Sequence, residues 1–115
     1  MNPLDSPPTG TSNAAAQLEG EVIAALRTVF DPEIPVNIYD LGLVYELDVA
    51  ADGRVHLRMT LTAPGCPVAQ TFPATVAEAV RQVEGITDVD VELVWEPTWS
   101  QDMMTEAARL QLGMV

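Results

Sequence analysis

The run Leu43-Val44-Tyr45-Glu46-Leu47-Asp48-Val49-Ala50-Ala51-Asp52-Gly53-Arg54-Val55-His56-Leu57-Arg58-Met59-Thr60-Leu61 decides the fold. Apolar side chains fall at Leu43, Tyr45, Leu47 and Val49, and again at Val55, Leu57, Met59 and Leu61. Each half therefore predicts a strand with one covered and one wet face. Parity settles how the halves join. A two-residue Asp52-Gly53 loop would set Val49 against His56, whereas a three-residue loop over Ala51-Asp52-Gly53 pairs Val49 with Val55 and Leu47 with Leu57. The expected hairpin has a type I turn with Gly53 left-handed.

Downstream, the alternation gives way at Thr62-Ala63-Pro64-Gly65-Cys66-Pro67. Val68, Phe72, Val76, Ala79, Val80 and Val83 then recur at helical spacing up to Gly85, a suitable stop. Pro67 fits a first helical position, but Pro73 would fall inside this helix and predicts a kink or a break. Val89, Val91, Leu93 and Trp95 form a third strand pattern. A short last helix, started by Ser100 or Asp102, is expected to carry Met103, Ala107 and Leu110 onto the body. Upstream, Leu18, Val22, Ala25, Leu26 and Val29 mark a first helix with Glu19 and Glu21 in its first turn, ending before Asp31-Pro32. Residues 1–16, rich in Pro, Ser, Thr and Gly and carrying Asp5, read as a disordered lead, and 17–115 as one domain. The fold class is α+β: a two-layer sandwich in which a small mixed sheet of about three strands has helices on one face.

The chain has 115 residues, 17 acidic against 5 basic, and a net charge of −12. So acidic a surface has no footprint for nucleic acid or anionic lipid. One cysteine forms no intrachain disulfide, no apolar run is long enough for a membrane span, and the first residues lack the pattern of a secretory signal. A cytoplasmic protein is expected. Glycine-rich phosphate loops, paired-cysteine zinc patterns and serine nucleophile motifs are also missing from the sequence, which removes support for three common enzyme classes.

Cys66 is the sharpest candidate for chemistry. At the mouth of a helix, the dipole and the first-turn N–H groups would favour its thiolate, the form that binds metal or attacks. Gly65 would let a ligand approach, and Pro64 and Pro67 would stiffen the turn. A small buried hydrophobe is the competing reading of a lone cysteine. The loop Asp31-Pro32-Glu33-Ile34-Pro35-Val36-Asn37-Ile38-Tyr39-Asp40-Leu41-Gly42 supplies three carboxylates, able to bind metal beside a thiolate or simply to cap turns. His56 shares the polar strand face with Arg58, Thr60 and Thr62, and the extended chain between them carries it away from Cys66, against a Cys-His pair. Of the two tryptophans, Trp95 continues the apolar strand face and Trp99 is expected to cover the core edge or anchor an interface.

Asp31-Pro32-Glu33 with Pro35, Asp40-Leu41-Gly42-Leu43-Val44 with Tyr45, Thr60-Leu61-Thr62 followed by Cys66-Pro67, Glu84-Gly85-Ile86, and Glu96-Pro97 with Trp99 together resemble the SufT/PaaD-type iron-sulfur assembly family. The resemblance spans residues 18–113. It implies a small α+β iron-sulfur assembly domain and a cytoplasmic, non-enzymatic accessory factor for building or delivering clusters, often beside the SUF machinery. Relatives support maturation of metalloenzymes such as a phenylacetyl-CoA ring oxygenase. Carried over by position, the reactive cysteine falls on Cys66, the acidic loop on Asp31, Pro32 and Glu33, the second acidic position on Asp40, and the threonine before the cysteine turn on Thr62. Cys66 is thereby the expected metal ligand, with Asp40, Glu33 and Thr62 around it. Pro73 and the N-terminal lead depart from the family pattern.

Iron-sulfur clusters usually take four protein ligands, mostly thiolates, and this chain offers one cysteine. Only a transient cluster or iron is expected, not one held stably by a single chain. Three arrangements follow: a homodimer sharing its two Cys66 thiols, transient docking of Cys66 on a partner's cluster, or an adaptor that recruits apo-protein clients.

Overall fold

The computed structural model describes residues 10–62 and 70–114. Three strands, β1 (Val44–Val49), β2 (Arg54–Met59) and β3 (Asp88–Leu93), form one sheet in the order β1-β2-β3. β1 and β2 are antiparallel, while β2 and β3 are parallel and joined through a helix, so the sheet is mixed. The α-helices are α1 (Gly10–Leu26), α2 (Phe72–Arg81) and α3 (Glu106–Gln111).

The hairpin follows the parity argument. Val49 pairs with Val55 and Leu47 with Leu57, and Gly53 has φ 98°. Nearer the start of β1, the register slips by one between Glu46↔Arg58 and Val44↔Met59, leaving Tyr45 as the extra residue of a bulge. The strict alternation expected through Tyr45 breaks there, and its hydroxyl reaches out of the ladder to the Pro97 carbonyl at 2.6 Å.

One face of the sheet is dry. Val55, Leu57 and Met59 of β2 are buried with Val22 and Leu26 of α1 and Val76 and Val80 of α2. His56, Arg58, Asp90 and Glu92 line the opposite, wet face. Val36, Ile38, Leu41 and Leu43 add the whole of their side chains to the core, although the chain around them is a loop.

Helix boundaries depart from the sequence reading in three places. α1 starts at Gly10, so residues 10–16 of the expected disordered lead are helical and Glu19 and Glu21 lie well inside the helix. Three consecutive alanines, the best helix formers, propagate it backwards. α2 starts at Phe72, with Pro73 in its first turn, where a missing N–H breaks no helical bond. No kink is needed, while Pro67 and Val68 lie outside the described residues. The last helix is capped by Thr105, whose hydroxyl accepts the Ala108 N–H, and not by Ser100 or Asp102. Ser100 precedes only a short 3₁₀ turn, Gln101–Met103. The helix consequently turns Ala108 inward, with Met104 buried just before its cap, and leaves Ala107 and Leu110 outside.

Gly53 also fixes how the hairpin meets the end of the α2 connection. A β-carbon there would overlap the Gly85 carbonyl oxygen, and the positive φ is itself unfavourable for other residues. Gly53→Ala is expected to cost about 3 kcal/mol in a urea melt. Gly20→Ala, mid-helix with nothing within 4 Å, is expected to gain about 0.5–1 kcal/mol in the same measurement.

Candidate functional site

The loop after α1 is held by its own polar groups. Asp31, buried, accepts the Glu33 and Ile34 N–H groups on Oδ2 at 2.9 and 2.8 Å, which closes a tight turn around Pro32. The chain returns through a bridge between Phe30 and Asn37 and through the Ile38 N–H to the Val29 carbonyl at 2.9 Å. This turn leaves the Glu33 side chain exposed at the loop tip.

Asp40 has more partners than any other residue of the loop. Its Oδ2 accepts from Asn37 Nδ2 at 2.9 Å and faces Arg27 Nε at 3.7 Å, and its Oδ1 accepts from the Thr105 hydroxyl at 3.1 Å. Its backbone N–H donates to Asn37 Oδ1 at 2.8 Å, and its carbonyl accepts the Thr105 N–H at 2.8 Å. Both carboxylate oxygens are thus engaged, Oδ1 in tying α3 to the loop and Oδ2 in bracing the loop on Asn37 and Arg27. The Arg27 guanidinium also stacks over Tyr39, 4.9 Å from the ring centre.

Thr62 and Glu33 are brought together across the fold. The Thr62 hydroxyl lies 3.4 Å from Glu33 Oε1, a long hydrogen bond between side chains 29 positions apart. Beside Thr62 a cleft of about 240 Å³ is lined by Thr60, Leu61, Trp95, Glu96 and Trp99 among others. Trp99 is its floor, packed on the core with its indole N–H donating to the Leu41 carbonyl at 2.7 Å. Trp95, expected to continue the apolar strand face, is instead exposed at the cleft because β3 ends at Leu93. Among the described residues Asp40 makes no hydrogen bond to Glu33 or Thr62, whereas Thr62 donates to Glu33. Cys66 lies outside the described residues. α2, the helix expected to begin beside it, begins at Phe72.

Residues 19–93 match the family described as iron-sulfur cluster assembly protein. The chain belongs to that family. It is 50% identical over 104 residues to an Fe-S protein maturation auxiliary factor of Porphyromonas gingivalis, covering 90% of this chain and 99% of that one. It is 40% identical to the Fe-S protein maturation auxiliary factor YitW of Bacillus subtilis, covering 84% and 95% of the two chains. A crystal structure of a domain of unknown function from Bacillus anthracis superposes with a TM-score of 0.80 at 31% identity, over 90% of this chain and 99% of that one. The α+β fold implied by the resemblance is thereby established.

Within this family frame, the other candidates find ordinary partners. His56 Nδ1 is 2.9 Å from Asp90 Oδ2 and its Nε2 is 3.8 Å from Glu92 on the wet sheet face. Among the described residues, no three His, Cys, Asp or Glu side chains are placed to hold a metal ion, and no helix is long and apolar enough to cross a membrane. Two residues that organise the loop went unnoticed in the sequence. Asn37 is buried and braces Asp40, with no pattern to announce it; Thr105, followed by Glu106-Ala107-Ala108, carried a readable N-cap signal.

Burial, and after it the nearby Glu96 carboxylate, pushes the Tyr45 phenol above its ordinary range. The folded state therefore resists losing this proton. Its contribution is complete below the unfolded phenol value of about 10 and declines as pH rises through the higher folded value. An alkaline stability titration is expected to fall less steeply in Tyr45→Phe than in wild type. Asp40→Ala, which strands Asn37, Thr105 and Arg27, is expected to cost about 2–4 kcal/mol in a chemical melt. Glu33→Gln, at an exposed tip, is expected to change stability by less than about 0.5 kcal/mol.

Proposed function

We propose that this protein is a non-catalytic accessory factor that assembles or delivers iron-sulfur clusters, using Cys66 as a shared or transient ligand to cluster, iron or sulfur carried as cargo. The observation that carries the site reading is the exposed Glu33 carboxylate hydrogen-bonded to Thr62, four residues before the only cysteine of a chain in this family. Four residues span at most about 14 Å, a bound that leaves the thiol within chain reach of Glu33 and supports this reading. Carboxylate oxygen beside thiolate is a donor pair that suits iron.

The long Thr62 contact is easily exchanged for a metal ion, which makes Glu33 the carboxylate able to respond to cargo. Asp40, with both oxygens occupied, tunes the site by fixing the loop that carries Glu33. With one thiolate per chain, a complete ligand shell needs a second chain, a partner or a small thiol. The partners are the iron-sulfur assembly machinery and apo-protein clients, and the protein works in the cytoplasm, either as a homodimer that shares two Cys66 thiols or docked on a partner.

An adaptor that recruits clients without touching the cluster is the second reading, favoured by the exposed Trp95 beside the cleft. Anaerobic reconstitution with iron and sulfide separates the two. Wild type, alone or with a small thiol, is expected to develop a visible charge-transfer chromophore that Cys66→Ala abolishes and Glu33→Gln weakens severalfold. A Cys66→Ala protein that still supports full activation of a client enzyme would leave only the adaptor.

A further inference from the structure

We propose that the outer edge of β3 is a strand-docking site for an extended segment of a partner protein that carries lysine or arginine at alternate positions. Among the described residues, no strand pairs with β3 on the side away from β2. Its register with β2 is unbroken from Arg54↔Asp88 to Met59↔Leu93, so no bulge interrupts the edge. β1, the other edge, is interrupted by its bulge. An uninterrupted edge presents a row of unpaired N–H and C=O groups, the template on which strand addition occurs.

The side chains of β3 select the occupant. Asp88, Asp90 and Glu92 project on the wet face and are exposed, while Val91 and Leu93 on the other face are only partly covered. An incoming strand with the same alternation would set basic residues against the three carboxylates and apolar residues over Val91 and Leu93. Asp90 and Glu92 already face His56 and Arg58 on β2, and Asp88 makes no ion pair among the described residues.

A second copy of this chain fits badly. Strands of period two keep their faces matched only if residues of like parity are paired. Any face-matched antiparallel pairing of β3 with itself therefore puts carboxylate opposite carboxylate, which is destabilising, and the whole chain carries −12. The acidic row thus closes the edge to self-association and leaves it open to a basic strand.

The test uses the full chain and three end-blocked hexapeptides: alternating lysine and valine, alternating glutamate and valine, and the lysine peptide with alternate backbone nitrogens methylated. Amide NMR and hydrogen exchange follow titration at low and physiological salt. The lysine peptide is expected to shift and protect the β3 amides that do not bond to β2. The other two peptides are expected to bind about tenfold more weakly or not at all, since each loses one of the two required interactions. Shifts scattered over the acidic surface without β3 protection, or equal binding of the methylated peptide, would overturn the proposal as mere charge attraction. The triple variant Asp88→Asn, Asp90→Asn, Glu92→Gln is expected to lose the preference for lysine over glutamate. Should it fail to fold, Asp88→Lys alone is expected to weaken the lysine peptide severalfold, and unchanged binding to either folded variant overturns the role given to the acidic row.

Discussion

The clasp between Asp40 and Thr105 is the constraint on which the rest of the structure depends. Four groups take part: the Asp40 carboxylate and carbonyl on one side, the Thr105 hydroxyl and N–H on the other. Thr105 at the same time caps α3 through the Ala108 N–H. One threonine therefore starts the last helix and binds it to a loop 65 positions earlier in the chain. With α3 seated, Met104 and Ala108 join the same buried core as Leu41 and Leu43. Gly42 belongs to the same closure, because its positive φ turns the chain just where a β-carbon would overlap the Met103 backbone.

This arrangement divides the acidic residues of one loop by role. Asp31 turns inward to hold its own turn, Asp40 holds the C-terminal segment, and the Glu33 carboxylate, exposed at the tip, makes one long hydrogen bond, to Thr62, among the described residues. Two buried or half-buried carboxylates supply rigidity so that a third stays available. Such a division suits the proposed role, in which cargo is bound loosely enough to leave. A rigid loop presents a ligand at little entropic cost, while a weak resident contact exchanges readily. Cluster cargo and a basic partner strand would use different parts of the surface, the loop and cleft in one case and the far edge of the sheet in the other.

The hairpin was legible because two independent signals agreed, strand parity and a glycine at the one position needing positive φ. The core strands and the second helix were readable for a similar reason, each having a single apolar face. Helix ends were less legible. Pro73 looked like a defect only while the helix was assumed to start at Pro67; starting at Phe72, it occupies a position that suits proline. Within the site, Glu33 and Thr62 were each picked out as single residues, but their pairing was not, since nothing in a sequence records which loop tip meets which strand end.

By itself the sequence determined the α+β class, the hairpin register and the presence of one thiol among several carboxylates, while its separated motifs resembled the family to which the chain belongs. The class, the register and the residue inventory follow from local periodicity, turn chemistry and residue type, which act over a few positions. Only the tertiary structure decided that Asp40 is a clasp and Glu33 an exposed tip, that Trp99 is a floor and Trp95 a rim, and that β3 is an edge strand among the described residues. The reason is physical: a carboxylate's role is set by which donors reach it. Thr105, the donor that settles Asp40, is close in space and far away in the chain.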